Sequence, residues 1–341
     1  MILTVQRLID IILTMSMWQK DKRDVIFMGK VDARTHEYLS DNKRFADIIN
    51  YYIYDGEQII KPDDLHEMDT SEIVFPYGEG NNTSDIIQKY RDILKCACTM
   101  TDNKVNYLIL GIENQSEIHY AMPVKDMLYD AEQYTKQVLF NAKKHRRDKT
   151  HSKGITSGEF LGGFYKDDKL VPVITIVVFW SADEWDGPKD LHSMMETDDI
   201  NILKYVPNYK INLISPYNIN DCEFDKFKSS LAEVLKYIKY SNDDVTLQNV
   251  LENDKVYESI DRETAELIRE VTGSDLKFDE EKETVNMCRA TEEMKRKAAE
   301  ARAKEIAKAF LDIGNDSYEE ISRATKLPIE EVKKMAEMTA N

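Results

Sequence analysis

Tyr90 to Gln115 reads YRDILKCACTMTDNKVNYLILGIENQ, and the fold turns on how this stretch pairs with itself. Ile93, Leu94, Cys96 and Ala97 come first, then Thr-Asp-Asn-Lys, then Val105 to Ile112, which is rich in β-branched and large apolar residues. That pattern predicts a β-hairpin. With Asp102 and Asn103 as the two central turn residues, Thr101 pairs with Lys104, and counting outward sets Asp92 opposite Glu113. Side chains alternate with period two, so Gln115 falls on the face of Glu113 one step further along. A three-residue loop would break this register.

Two acids at the ends of otherwise apolar strands need a partner, because an ionised carboxylate in a sheet core is costly unless it is paired or bound to a cation. A divalent metal is one answer. Mg²⁺ takes one or two protein carboxylates and completes its shell with water and phosphate oxygens, which describes a phosphodiester-cleaving site. The other answer is a salt bridge from these acids to Lys95 or Lys125.

RDILK at Asp92, GIENQS at Glu113 and HYAMPVKDMLYDAEQY from His119 to Tyr134 stand in an order that resembles a known family. The chain is similar to the transposases of the PD-(D/E)XK nuclease type, also called the Rpn or YhgA-like recombination-promoting nucleases. The similarity takes in FADIINYYIY from Phe45 and LVPVITIVVFW before Asp183, and so covers about Arg34 to Tyr240. It implies an α/β, restriction-endonuclease-like mixed sheet flanked by helices, and a metal-dependent DNA endonuclease. Asp92 and Glu113 would hold Mg²⁺ or Mn²⁺, the carbonyl beside Asn114 would complete the site, and Gln115 would position the attacking water. Many nucleases of the wider superfamily carry Lys where this chain has Gln115. The resemblance also places a basic residue at Lys125, near a scissile phosphate, against the plain reading of a surface lysine. It suggests an acid from the first helix near the metal, for which Asp47 is the candidate, against a solvated acid on the polar side of that helix.

The chain has 341 residues, enough for one sizeable core and an appended module. A formal charge of -17 with 32% charged residues describes an acidic protein without a global pull towards nucleic acid, so a DNA partner requires a local basic patch. KKHRRDKTHSK, from Lys143, is the strongest basic cluster; Lys143, Lys144, Arg146, Arg147 and Lys149 are the candidate DNA contacts, the alternative being a solvated loop. With no interleaved aromatics, base stacking is not expected. Cys96, Cys98, Cys222 and Cys288 are scattered and fit a reducing cytoplasm. No zinc spacing occurs.

Met1 to Trp18 is apolar but interrupted by Arg7 and Asp10, too short and charged for a membrane anchor and without a cleavage site. Met28-Gly29-Lys30 matches the start that the resemblance implies, so residues 1–28 are expected to be a dispensable extension. Spacing predicts an amphipathic helix between Thr35 and Tyr54, closed by Asp55-Gly56. Glu72 to Phe75 suits a short strand, and Gly78, Gly80, Asn81 and Asn82 a loop lacking P-loop context. A helix from Met122 to about Lys144 turns Val124, Leu128, Ala131 and Val138 inward; Tyr129 and Tyr134 read as half-buried packing, with Tyr129 a candidate support to the site. Leu170 to Trp180 reads as a buried central strand, Ser181 to Pro188 as a turn, Tyr209 to Pro216 as a strand and Asp225 to Tyr240 as a helix.

The nuclease-like domain is therefore expected over 29–241 and a helical region over 242–341. In the latter, helices over Asp261 to Val271 and Asn286 to Ile313 precede SYEEISRATKLPIEEVKKM, with a Ser317–Glu320 capping box and a helix opened by Pro328. This end looks like a helix-turn-helix, but Glu330 and Glu331 repel phosphates and favour packing or self-association. The expectation is a cytoplasmic nuclease that binds DNA as a homo-oligomer, without a membrane partner. The alternative is a catalytically inactive nuclease-fold module that binds DNA or protein.

Overall fold

Two helices open the described part of the chain where the spacing predicts one. Helix α1 is Lys30–Ser40 and α2 is Asn42–Tyr54, broken at Asp41, whose carboxylate accepts the Lys43 and Arg44 amides as an N-cap. The structure is a computed structural model that describes residues 30–68, 71–74, 87–90, 92–101, 104–147, 154–279, 281–314 and 316–339. The expected extension to residue 28, the Asp102-Asn103 turn, the Gly78 to Asn82 loop, Phe75 and Lys149 lie outside the described residues. Helix α2 buries Phe45, Ala46, Ile48 and Ile49 and ends at Asp55 and Gly56, both at positive φ.

The strands are β1 (Leu65–Glu67), β2 (Ser71–Val74), β3 (Ile87–Tyr90), β4 (Ile93–Thr101) and β5 (Lys104–Gln115). Then come α3 (Met122–Arg147), α4 (Ser157–Gly162), β6 (Val173–Phe179), α5 (Ile200–Leu203), β7 (Asn212–Ile214) and α6 (Leu231–Tyr240). Strands β2 and β3 pair with each other, and the other five form one mixed sheet in the order β1-β4-β5-β6-β7. The hairpin has the expected register, from Thr101 opposite Lys104 to Ile93 opposite Ile112. Beyond it the chain crosses over through α3 into β6, parallel to β5, as a parallel pair requires. Strand β6 is flanked by β5 and β7, and its run, apolar except for Thr175, is that of a strand covered on both faces. The architecture is thus α/β, with a mixed five-stranded sheet and flanking helices.

Helix α3 corrects the expected packing. Its buried residues are Met122, Pro123, Asp126, Tyr129, Asp130, Gln133 and Ala142, whereas Val124 and Ala131 are exposed and Leu128 and Val138 half-buried. One of the buried polar groups is bonded on the sheet side: Asp130 accepts from Thr175 Oγ1 at 2.6 Å and Tyr209 OH at 2.7 Å. Tyr134 OH accepts the Val173 amide, and Gln137 bonds both backbone groups of Val171. Bonds such as these let polar side chains occupy the buried face, and apolar periodicity then points elsewhere. The last helix of this unit is also shorter than expected, because Asp221–Lys226 forms a 3₁₀ turn and α6 begins only at Leu231.

The chain divides between Lys239 and Tyr240 into two compact units. The second contains α7 (Asp244–Asn253), β8 (Ile260–Asp261), α8 (Arg262–Thr272), β9 (Thr284–Val285), α9 (Met287–Ile313), α10 (Tyr318–Thr325) and α11 (Ile329–Thr339). Asp261 and Asn286 cap α8 and α9, and the Ser317–Glu320 capping box is formed at α10. Ala307, Ile321, Leu327 and Val332 form the core joining the last three helices. All four cysteines are free thiols, and no helix among the described residues is long and apolar enough to cross a membrane.

Candidate functional site

The antiparallel ladder stops at Ile93 and Ile112, and the next step is made by a side chain. Asp92 Oδ2 accepts the Asn114 amide at 2.7 Å, which ties the start of β4 to the end of β5. One residue away, Glu113 is fully buried, and its Oε2 lies 2.8 Å from Lys125 Nζ in the first turn of α3. Lys125 also feels the charges of Asp92 and Asp126. The crossover from β5 into α3 therefore gathers Asp92, Glu113 and Lys125 at the carboxyl end of β5.

Helix α1 reaches the same place. Asp32, in its first turn, accepts from Ser116 Oγ at 3.0 Å, just beyond the end of β5. His36, one turn on, acts on Asp92 together with Asp32. Neither residue was singled out by sequence reasoning. The available signal was an acid and a histidine four apart, ahead of the buried pair Tyr38-Leu39.

The electrostatics follow from burial. Desolvation pushes the Asp92 carboxyl above the ordinary carboxylate range; the Asn114 amide, Lys125 and His36 pull it down without cancelling the rise, and Asp32 adds to it. For Lys125, burial opposes the charge, but Glu113 outweighs it by charge and hydrogen bond, with Asp92 and Asp126 in support. The ammonium is held above the ordinary lysine range. Lys95, the other lysine considered for these acids, donates instead to Ser40 O at 2.6 Å and Asn42 Oδ1 at 2.5 Å.

The remaining candidates separate. Gln115 lies opposite Phe179, and its carbonyl accepts the Trp180 amide at 2.9 Å. Asn114 Oδ1 accepts from Trp180 Nε1 at 2.9 Å, so that side chain oxygen is committed to packing. Tyr129 is buried, with Lys125 Nζ 5.7 Å from its ring centroid. Asp47 is neither solvated nor free for the site. Its carboxylate accepts the Lys228 and Ser229 amides and Ser229 Oγ at 2.6 to 2.9 Å, anchoring the turn before α6. Lys143, Lys144, Arg146 and Arg147 are exposed on the last turns of α3. Lys143 stands about 27 Å along the helix from Lys125, at ~1.5 Å per residue.

Among the described residues no group of three or more His, Cys, Asp and Glu side chains is close enough to hold a metal ion. The donors that the hairpin end offers are the carboxylates of Asp92 and Glu113 and main-chain carbonyls. Compared with family models, curated proteins and solved structures, the chain matched none. The functional reading therefore rests on this geometry and on the residues that make it.

Proposed function

We propose that this protein is a metal-dependent DNA endonuclease of the recombination-promoting type, hydrolysing phosphodiester bonds with a restriction-endonuclease-like domain. The observation that carries the reading is the convergence of Asp92, Glu113 and Lys125 at one end of the sheet. The mixed sheet with flanking helices is compatible with that architecture.

The donor set suits a hard divalent cation. Carboxylate and carbonyl oxygens are the ligands Mg²⁺ and Mn²⁺ prefer. Asp92 and Glu113 would hold the ion, with the carbonyl beside Asn114. Bound there, it would polarise a phosphate and lower the pKa of a bound water. Asp92 is a carboxyl whose burial disfavours its charge, and a cation is the neighbour that restores it. Lys125, paired with Glu113, brings a positive charge to the same end and would act on a phosphate oxygen as a point charge. Gln115, adjacent in register, orients a water through its amide without supplying charge.

One observation favours a second reading, a catalytically inactive module. The Lys125–Glu113 pair satisfies the buried acid without any metal. Calorimetric titration with Mn²⁺ separates the two. The nuclease reading expects binding by the wild type that Glu113→Gln and Asp92→Asn each abolish. Absence of binding, or binding unaltered in both variants, supports the inactive module.

A further inference from the structure

Helix α3 carries a second feature, at the end remote from Lys125. From Lys136 to Arg147 it holds five cations, Lys136, Lys143, Lys144, Arg146 and Arg147, and no acid, in a chain of formal charge -17. All five are exposed. Between them stand two large apolar side chains that face solvent, Leu139 at 55% and Phe140 at 66% exposure.

Helical spacing makes this one surface. Lys136 precedes Phe140 by four residues, and Lys143, Lys144 and Arg147 follow it by three, four and seven, so the ring is bracketed by cations along a single stripe. The opposite side of the helix is occupied. Ala142 abuts Gly163, and His145 stacks on Tyr165 at 3.7 Å while bonding Asp168. Basic residues in a last helical turn are explained by the helix dipole. Lys136, eleven residues before the end, is not, and the dipole gives no reason to expose Phe140.

The stripe shares its helix with Lys125 of the candidate site, although Tyr129 and Gln133, on the same side between the two, are buried. Lys125, Lys136 and Arg147 are eleven residues apart, close to three helical turns, and so lie on nearly one line. An aromatic ring among cations, in line with a phosphate-directed lysine, has the chemistry of an unpaired polynucleotide: phosphates for the cations and a base for the ring. We infer that the Lys136–Arg147 stripe binds single-stranded nucleic acid on the helix whose first turn carries Lys125. The inference deepens the nuclease reading, on which it rests, by naming the form of its substrate, and it draws on Phe140, which precedes the Lys143 cluster.

Fluorescence anisotropy with a labelled 20-nucleotide oligo-dT tests it, run in EDTA so that no metal-dependent cleavage contributes, beside a duplex of equal length and vesicles rich in phosphatidylserine. The wild type should bind oligo-dT more tightly than duplex. Phe140→Ala, at an exposed position, should weaken oligo-dT binding about tenfold. Lys143→Glu with Lys144→Glu should weaken it and flatten its dependence on log salt by about 0.7 for each phosphate that these lysines neutralise. The inference is overturned if oligo-dT is not bound, if duplex or vesicles are bound in preference, or if Phe140→Ala binds as the wild type does. Binding is read without metal, so oligo-dT capture without cleavage on adding Mg²⁺ or Mn²⁺ would sink the nuclease reading alone. Cleavage that is indifferent to Phe140 would sink this inference alone.

Discussion

Replacing Lys125 with methionine keeps the aliphatic stem and removes the cation that faces Glu113. At 2.8 Å and an effective dielectric near 20, the attraction is about 6 kcal/mol before desolvation is subtracted. Breaking one side of a buried pair costs about 3–5 kcal/mol. The Lys125 side chain is 24% exposed, which puts Lys125→Met at the lower end, about 3 kcal/mol. For a unit of this size that lowers the melting temperature by about 6–12 °C. The cost is that of leaving the buried Glu113 carboxylate without its cation. In the wild type the raised Lys125 contributes stability below the ordinary lysine pKa, and this is lost only as pH rises through its elevated value. Up to the ordinary lysine pKa the contribution of Lys125 is therefore constant. Urea unfolding in EDTA, followed by the fluorescence of Trp180 and Trp185 in the first unit, measures the loss. Lys125→Met combined with Glu113→Gln should recover most of it. A loss below about 0.5 kcal/mol, or a double variant as unstable as the sum of the singles, would refute the coupling.

Other consequences concern single elements. Asp92→Asn retains an acceptor for the Asn114 amide and removes a charge that burial disfavours, so it should melt higher than the wild type at pH 7. The difference should vanish below the ordinary carboxylate range, because a raised pKa costs stability only as pH rises. Asp47→Ala should cost about 2–3 kcal/mol in urea, by leaving the Lys228 and Ser229 donors without their carboxylate, while any metal-dependent cleavage persists in the folded fraction. Gly163→Ala should cost about 2 kcal/mol, since φ is +68° and a new Cβ would sit 2.7 Å from Ala142 Cβ. In the second unit Ser317→Ala should cost about 1 kcal/mol, read as a lower melting transition, because it removes the α10 cap.

The hairpin was legible because alternation and a two-residue turn leave one register, and the ladder from Thr101 to Ile93 has it. The buried run of β6 and the caps at Asn286 and Ser317 were legible for equally local reasons. Helix α3 misled because its core face is built from Asp126, Asp130 and Gln133, and Asp130 is explained only by Thr175 and Tyr209, distant in sequence. Asp47 misled in the opposite direction. An acid in a helix looks the same whether it serves a site or bonds the Lys228–Ser229 backbone 181 residues away. Asp32 and His36 were missed because α1 has a sparse apolar pattern, and nothing before folding sets it beside Ser116. The exposed Phe140 is a solvent-facing ring that the sequence pattern alone left unassigned.

The central claim is that Asp92 and Glu113 together make a metal-dependent phosphodiesterase site. Its most direct test is nicking of supercoiled plasmid with Mg²⁺ or Mn²⁺, comparing the wild type with Asp92→Asn and Glu113→Gln and an EDTA control. Circular dichroism would first establish that all three proteins are folded. Nicking that requires the metal and falls by ~100-fold or more in each variant is the result the account predicts. Folded wild type that leaves the plasmid intact with either metal, or variants that nick it equally well, would contradict the account and leave the Glu113–Lys125 pair a structural ion pair.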